Sequence, residues 1–182
     1  MKPLLTLPFL LLSTPALAFE HAETGFGLNL SDDFIIDDAI PQQPDYSILV
    51  GVRSATGEPA PAANEDNLCM VGFTATDANA GMTQKEINAF TNTEEWGSTI
   101  RASLSSVMTV DTMESARLDR IQGMEIVARP NIGPDADTIR LVLTLFEMPA
   151  GRVSVSCVAT ATTLDAMLPT FRAIRDGITA PR

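Results

Sequence analysis

Few side chains in this sequence could carry out catalysis. His21 is the single histidine, and Lys85 is the single lysine beyond Lys2. A Ser-His-acid triad requires a histidine held between two partners, whereas His21 is expected to lie in a frayed chain end. A Ser–Lys dyad would require Lys85, which lies in a helix-capping motif where its side chain is expected to be solvated. The sequence also lacks a Gly-x-Ser-x-Gly motif. We therefore predict no catalytic residues and no cofactor, with an enzyme of a rare type as the alternative.

One cluster of carboxylates stands out. Asp32-Asp33 and Asp37-Asp38 flank three apolar residues. Hard cations such as Ca²⁺ take roughly six to eight oxygen ligands that converge from a turn, usually with a glycine at a set position. The cluster contains no glycine. We interpret residues 32–38 as a short apolar strand or turn with solvated ends, and cation binding there stays open as an alternative.

A second stretch with oxygen-bearing side chains leads into a helix. Asp77 and Asn79 precede Gly81, but the other ligands of an EF-hand loop are absent. We therefore interpret this stretch as a turn and predict no metal site. Thr83 and Glu86 have the spacing of a capping box, in which each side chain accepts a hydrogen bond from the other residue's backbone amide.

Other conspicuous residues have structural interpretations. Trp96 is followed at intervals of four by Ile100 and Leu104, which is typical of an apolar helix face that packs into a core. Gly123 is interpreted as a bulge or a close-contact position. Four arginines are expected to pair with acids on solvated strands: Arg117, Arg120, Arg129 and Arg140.

The N-terminus has the pattern of an export signal. Lys2 supplies a positive charge, Leu4–Leu12 form a short apolar core, and Ala16-Leu17-Ala18 is an A-x-A cleavage site. We predict that residues 1–18 are a signal peptide cleaved between Ala18 and Phe19, and that the protein is periplasmic. The apolar core is shorter than the roughly 20 residues that span a bilayer. Charged residues interrupt every later apolar run, so we predict no membrane span.

Export would place the two cysteines in an oxidising compartment. Cys69 and Cys157 lie in apolar, strand-like runs. In an oxidising compartment an even cysteine count usually means pairing, and two cysteines allow one intramolecular connectivity. We predict a Cys69–Cys157 disulfide, with two buried free thiols on separate strands as the alternative.

The charge of the chain is strongly asymmetric. Residues 19–99 hold 14 acids against Arg53 and Lys85, whereas residues 100–182 hold nine acids and nine arginines. A surface this acidic argues against nucleic-acid binding, which requires a basic footprint. We therefore predict a protein partner with a basic surface.

Alternating and apolar runs predict one domain over residues 19–182, of class α+β. It consists of an antiparallel sheet of five to seven strands with helices packed on it, and residues 19–25 are expected to fray. The predicted strands are 25–30, 46–52, 68–76, 107–111, 116–118, 124–129, 138–146 and 152–160. Helices follow Thr83 and Thr93, and a closing helix carries Leu164, Leu168, Phe171, Ile174 and Ile178 on one face, starting near Pro169 or kinked there.

The order and spacing of several segments resemble a known fold. The segments are Leu118-x-x-Ile121-x-Gly123-x-Glu125, Arg140-Leu141-Val142-Leu143, Gly151-Arg152-Val153 and Pro169-x-Phe171-Arg172-x-Ile174. They are similar to the PsbP-like α/β/α sandwich found among small exported bacterial proteins of unassigned function, over residues 46–178. The resemblance implies this fold and an interaction-type role, and it carries no catalytic motif.

These observations together predict a non-catalytic exported domain. We expect it to act as a binding or assembly module of the cell envelope. The alternative is a small-ligand carrier, or an enzyme of a rare type, that uses a cleft between sheet and helices.

Overall fold

The computed structural model describes residues 17–41, 44–62, 66–133 and 136–181. Ten strands and three helices lie in these ranges. In chain order they are β1 (Leu17–His21), β2 (Phe26–Leu30), β3 (Phe34–Ile36), β4 (Ile48–Ser54), β5 (Cys69–Ala75), α1 (Gln84–Thr91), α2 (Glu94–Leu104), β6 (Met108–Leu118), β7 (Ile121–Pro130), β8 (Ile139–Met148), β9 (Gly151–Thr160), α3 (Leu164–Asp176) and β10 (Ile178–Thr179).

Seven of the strands form one antiparallel sheet in the order β3-β4-β5-β9-β8-β7-β6. The predicted α+β class and the upper end of the predicted strand count are confirmed. The other three strands form a small antiparallel sheet in the order β1-β2-β10. Among the described residues, no helix combines the length and apolar character needed to cross a membrane.

The large sheet buries both of its faces. On β7, Val127 packs into one core cluster while its neighbours Ile126 and Ala128 belong to another, because successive strand residues point to opposite faces. The first cluster includes Phe171 of α3 and residues of the small sheet, and the second includes Trp96 of α2. The domain is therefore layered, with α3 and the small sheet on one face and α2 on the other.

Both predicted helix starts in the middle of the chain are confirmed. The Thr83 hydroxyl accepts a hydrogen bond from the Glu86 amide, and the Glu86 carboxylate accepts one from the Thr83 amide. The Thr83 hydroxyl also donates to the Glu86 carboxylate at 2.8 Å. The bonds that this carboxylate accepts, first from the Thr83 amide and then from the hydroxyl, hold the pKa of Glu86 below its usual value. Thr93 caps α2 through the Trp96 amide.

The N-terminal expectation requires correction. Residues 19–25 were expected to fray, but β1 pairs with β2, placing Phe19 opposite Leu28 and His21 opposite Phe26. The strand expected at residues 25–30 lies in the small sheet rather than the large one. Tertiary contacts account for both differences, because Phe19 packs against the core that β2 helps to form.

The closing helix ends earlier than its apolar pattern indicated. Ile178 was expected on the helix face but lies in β10, opposite Leu28. The helix stops at Gly177, whose carbonyl accepts a hydrogen bond from the Asn29 amide at 2.8 Å. A side chain at position 177 would also meet Leu30 Cδ2 at 2.5 Å. The helix begins at Leu164, ahead of Pro169, which lies inside it.

Strand β6 is continuous, although two short strands were predicted there. Its pairing with β7 shifts register between Val110 and Thr112. A β-bulge adds one residue to a strand and so reverses the in–out alternation beyond it. That reversal is why the sequence pattern appeared to break.

Gly123 is confirmed as a close-contact position, and it supplies a stability prediction. The residue pairs with Phe146 on β8, and a Cβ built at Gly123 would lie 2.8 Å from Phe146 Cε1. Overpacking of this kind costs about 1–3 kcal/mol, so Gly123→Ala is expected to lower the free energy of unfolding by that amount. Urea unfolding measures it.

The matched control for this prediction is Gly97→Ala on α2. A Cβ there would meet only Met124 Cε, at an ordinary 3.6 Å, and Ala favours a helix over Gly by up to about 1 kcal/mol. We expect the control to be neutral or stabilising. Equal losses in both variants would contradict the assigned role of Gly123.

Candidate functional site

The predicted disulfide is present at the centre of the large sheet. Cys69 on β5 lies directly opposite Cys157 on β9, and the two are bonded with a Cα–Cα distance of 4.0 Å. Both cysteines are about 1% exposed. The bond therefore joins the first half of the chain to its last long strand, inside the core.

The Asp32–Asp38 segment forms the edge of the large sheet. Within the described ranges β3 has one strand partner, β4, and its three residues are half-buried. Asp32, Asp33 and Asp38 are exposed, while Asp37 pairs with Arg53 at 2.9 Å. The interpretation as an apolar strand with solvated ends is confirmed. We call Asp32, Asp33, Asp37 and Asp38 the acidic edge.

Neither the acidic edge nor the stretch before α1 contains a recognisable metal-ligand group in the described residues. No group of three or more His, Cys, Asp or Glu side chains there is arranged to hold an ion. The stretch before α1 is a turn, with hydrogen bonds from the Ala80 amide to Asp77 and from the Met82 amide to Asn79. The Asn79 side chain donates to the buried carboxylate of Glu147 at 3.2 Å.

Ion pairing divides the chain into two electrostatic halves. In the described part of residues 19–99, Asp37 is the one acid with an ion pair. Six arginines of the second half pair with acids of the same half: Arg120 with Asp119, Arg129 and Arg140 with Asp111, Arg152 with Glu147, Arg172 with Glu114 and Glu125, and Arg175 with Glu125 and Asp176. Arg117 was expected to pair as well, but it has no ion pair among the described residues, and its Nε donates to the Asp119 carbonyl instead. The excess negative charge therefore stays on the first half of the chain, without compensation from the second.

The other residues that stood out in the sequence are spread over different elements of the fold. His21 Nδ1 shares a hydrogen bond of 2.9 Å with the Thr24 hydroxyl in the turn between β1 and β2. Lys85 is exposed on α1. Trp96 is 4% exposed and packs with Ile100 in the core, as its spacing predicted. Arg117, Arg129 and Arg140 lie on strands, whereas Arg120 lies in the turn between β6 and β7.

Comparison with solved structures identifies this architecture. The solution structure of cyanobacterial PsbP (CyanoP) from Synechocystis sp. PCC 6803 matches with a TM-score of 0.54 over 93% of this chain and 95% of that one. The chain has a PsbP-like fold. Sequence identity to that protein is 9%, so the similarity shows the fold alone.

A second solved structure has a lower similarity. It is PA94 from Pseudomonas aeruginosa, described as a protein of unknown function and putative regulator, with a TM-score of 0.47 and 8% identity over 93% of this chain and 99% of that one. No protein-family model and no curated protein sequence matches this chain.

A groove of about 1290 Å³ opens at one end of this PsbP-like sheet. Four segments form it: the start of α1 with Lys85, the β6–β7 turn with Arg120, the β8–β9 turn with Pro149, and the chain after α3 with Thr179 and Pro181. We call it the end groove. The sequence pointed to Lys85 and Arg120 separately, and their proximity to one groove depends on tertiary structure.

A smaller pocket of about 540 Å³ lies over β5 and β9, beside Tyr46 and Arg152. The hydroxyl groups of Thr74 and Ser47 that line it already form hydrogen bonds within the protein. Thr74 donates to the Asp45 carbonyl at 2.6 Å, and Ser47 accepts from the Ala75 amide at 3.0 Å. These bonds fasten the entry to β4 onto β5, so the pocket is explained as part of strand packing.

One buried charge network was missed from the sequence. Glu125 on β7 accepts hydrogen bonds from Arg172 Nε and Arg175 Nη1, each at 3.0 Å, and its side chain is 7% exposed. The hydrogen bond to Glu125 raises the pKa of Arg172 above its usual value. The available signal was a pair of arginines three residues apart within the apolar pattern of α3, together with a lone glutamate in an apolar strand.

Proposed function

We propose that this protein is exported to the periplasm and acts there as a non-catalytic binding or assembly module of the cell envelope, docking a protein with a basic surface. The PsbP-like fold is compatible with such a module, although fold by itself does not determine function. The alternative, a small-ligand carrier or an enzyme of a rare type, would use a cleft between sheet and helices.

Two features support export. Residues 1–18 have the pattern of a cleavable signal, although residues 1–16 lie outside the described part of the chain. The buried Cys69–Cys157 disulfide is the type of bond that persists in oxidising compartments.

The observation that carries the docking proposal is the acidic edge. Its carboxylates are exposed beside an edge strand, and only Asp37 is neutralised by an arginine. Exposed charges of one sign steer an oppositely charged partner and raise its association rate. A basic protein surface therefore has complementary charge for this side of the molecule.

The docking proposal predicts capture that depends on both salt and these carboxylates. We expect the mature protein to retain a basic protein from a periplasmic extract of its source organism. The association rate of that protein should fall about tenfold between 50 and 500 mM NaCl, because salt screens exposed charges. Asp32→Asn with Asp38→Asn should lower the association rate roughly two- to fivefold at 50 mM NaCl. Stopped-flow or surface-plasmon kinetics measure both effects.

Asp137→Asn with Asp165→Asn is the matched control. It removes the same number of exposed carboxylates from the second half of the chain, and we expect the association rate to change less than in the acidic-edge variant. Salt-independent capture, or an equal effect of the two double variants, would overturn the role of the acidic edge.

Export also predicts the mature N-terminus. Cleavage between Ala18 and Phe19 would remove the first two residues of β1 and leave Phe19, Glu20 and His21 paired with β2. Intact-mass measurement of the exported protein should therefore show a chain that begins at Phe19. A chain that still begins at Met1 would contradict signal processing.

A further inference from the structure

The end groove takes no part in the proposed docking on the acidic edge. Its rim carries cationic side chains, whereas the acidic edge carries carboxylates. Of the lysines and arginines that the structure describes, only Lys85, Arg101 and Arg117 have no ion pair. Lys85 lines the groove, and Arg117 lies just before the turn that lines it. Arg120 adds a third positive charge to this region.

The acids beside the groove compensate these cations weakly. Arg120 lies 3.7 Å from Asp119, and both side chains are at least 85% exposed, where an ion pair contributes little. Glu86, next to Lys85, directs its carboxylate to the amide and hydroxyl of Thr83. The rim therefore presents positive charge on a chain whose net charge is −11.

The floor of the groove is apolar. It is lined by Leu118 and Ile121 at the base of the turn, by Met148 at the end of β8, and by Ile178 and Pro181 after α3. An occupant must therefore supply apolar groups between the cationic sides. This requirement disfavours a small hydrophilic anion.

A strand edge on one wall of the groove favours an extended occupant. One wall is β10, a two-residue edge strand of the small sheet whose one strand partner among the described residues is β2. An edge strand leaves backbone groups free to accept a further strand, and peptides commonly bind in this way. Asp119, with a φ of +50°, lies in the tight β6–β7 turn that brings Arg120 to the groove.

We propose that the end groove binds an extended peptide of a partner protein, added as a strand beside β10. Acidic side chains of the peptide meet Lys85 and Arg120, and its apolar side chains contact Ile121 and Ile178. The groove contains no residue of the acidic edge, so this binding does not require that edge. Repulsion by the negative charge elsewhere is screened beyond about 8 Å at physiological salt.

The test uses the mature, oxidised protein and a fluorescein-labelled octapeptide of alternating Glu and Val, followed by fluorescence anisotropy at 150 mM NaCl. We expect saturable binding that weakens at least tenfold in the Lys85→Glu, Arg120→Glu variant. Arg101→Glu changes an equally unpaired cation on α2, away from the groove, and should leave the dissociation constant within about twofold. A peptide with Lys in place of Glu should not bind.

Chemical-shift changes of the backbone amides on adding the peptide locate the binding site. The amide spectrum of each variant also shows whether that variant is folded. Shifts confined to residues 118–121, 148–150 and 178–181 support strand addition at the groove. If the charge-reversal variant does not fold, Lys85→Gln with Arg120→Gln replaces it, with weakening of at least threefold expected. Absence of peptide binding, equal weakening by Arg101→Glu, or tighter binding of oleate than of the peptide would overturn the proposal. Peptide affinity should be unchanged in Asp32→Asn with Asp38→Asn, which separates this result from the proposed function.

Discussion

Replacing both cysteines with alanine is expected to lower the free energy of unfolding by about 4.5 kcal/mol relative to the oxidised protein. The disulfide closes a loop with a sequence separation of 88 residues, and the chain-entropy model assigns roughly that value to a loop of this length. For a domain of this size, each kcal/mol changes the melting temperature by about 2–4 °C. We therefore expect Cys69→Ala with Cys157→Ala to melt roughly 9–18 °C lower.

Calorimetry of the oxidised protein, the reduced protein and the double variant tests this prediction. The reduced protein is the control for side-chain volume, because it keeps both sulfurs in the core, and it should show most of the destabilisation. Thiol titration of the unfolded, unreduced mature chain should detect no free thiol. Two titrated thiols, or equal melting temperatures of oxidised and reduced protein, would contradict a stabilising disulfide.

Glu125→Gln is expected to have the next largest effect. This carboxylate is almost fully buried and joins β7 to Arg172 and Arg175 of α3. Removing one partner of a buried ion pair leaves the other charge uncompensated, at a cost of about 3–5 kcal/mol. The Arg172 side chain is 42% exposed and can be solvated, so we expect a loss near the lower limit, about 3 kcal/mol.

Urea unfolding measures this loss against two controls. Glu114→Gln removes a carboxylate that is 67% exposed and lies 3.9 Å from Arg172, and it should change the unfolding free energy by less than about 0.5 kcal/mol. The triple variant Glu125→Leu, Arg172→Met, Arg175→Met replaces the charges with apolar groups and should recover most of the loss. A change below about 1 kcal/mol for Glu125→Gln would show that the network does not hold α3 on the sheet.

A second carboxylate, that of Glu114, lies close to the Glu125 ion pairs. It lies directly opposite Glu125 on the neighbouring strand, where like charges repel. Arg172 contacts both carboxylates. The closing helix thus supplies a cation that offsets the repulsion between these two carboxylates.

Features with short-range causes could be predicted from the sequence. The capping box of Thr83 and Glu86 and the buried stripe of Trp96 and Ile100 depend on residues within one or two helical turns. The long strands β8 and β9 were predicted within a few residues of their ends, because β8 is rich in apolar residues and β9 alternates apolar with polar residues. The Cys69–Cys157 pairing followed from the number of cysteines and the expected compartment.

Only the tertiary structure determined which segments meet. Nothing local distinguishes β2 from a strand of the large sheet, because its partners β1 and β10 come from opposite ends of the chain. The Glu125 network and the end groove have the same origin, since each joins residues that are distant in sequence. Local patterns specify what a segment can form, whereas shared burial of apolar surface and pairing of buried charge determine its neighbours. The sequence by itself thus determined most of the elements and the covalent bond. Packing decided strand β1, the end of α3, the two sheets, the buried ion pairs and the groove.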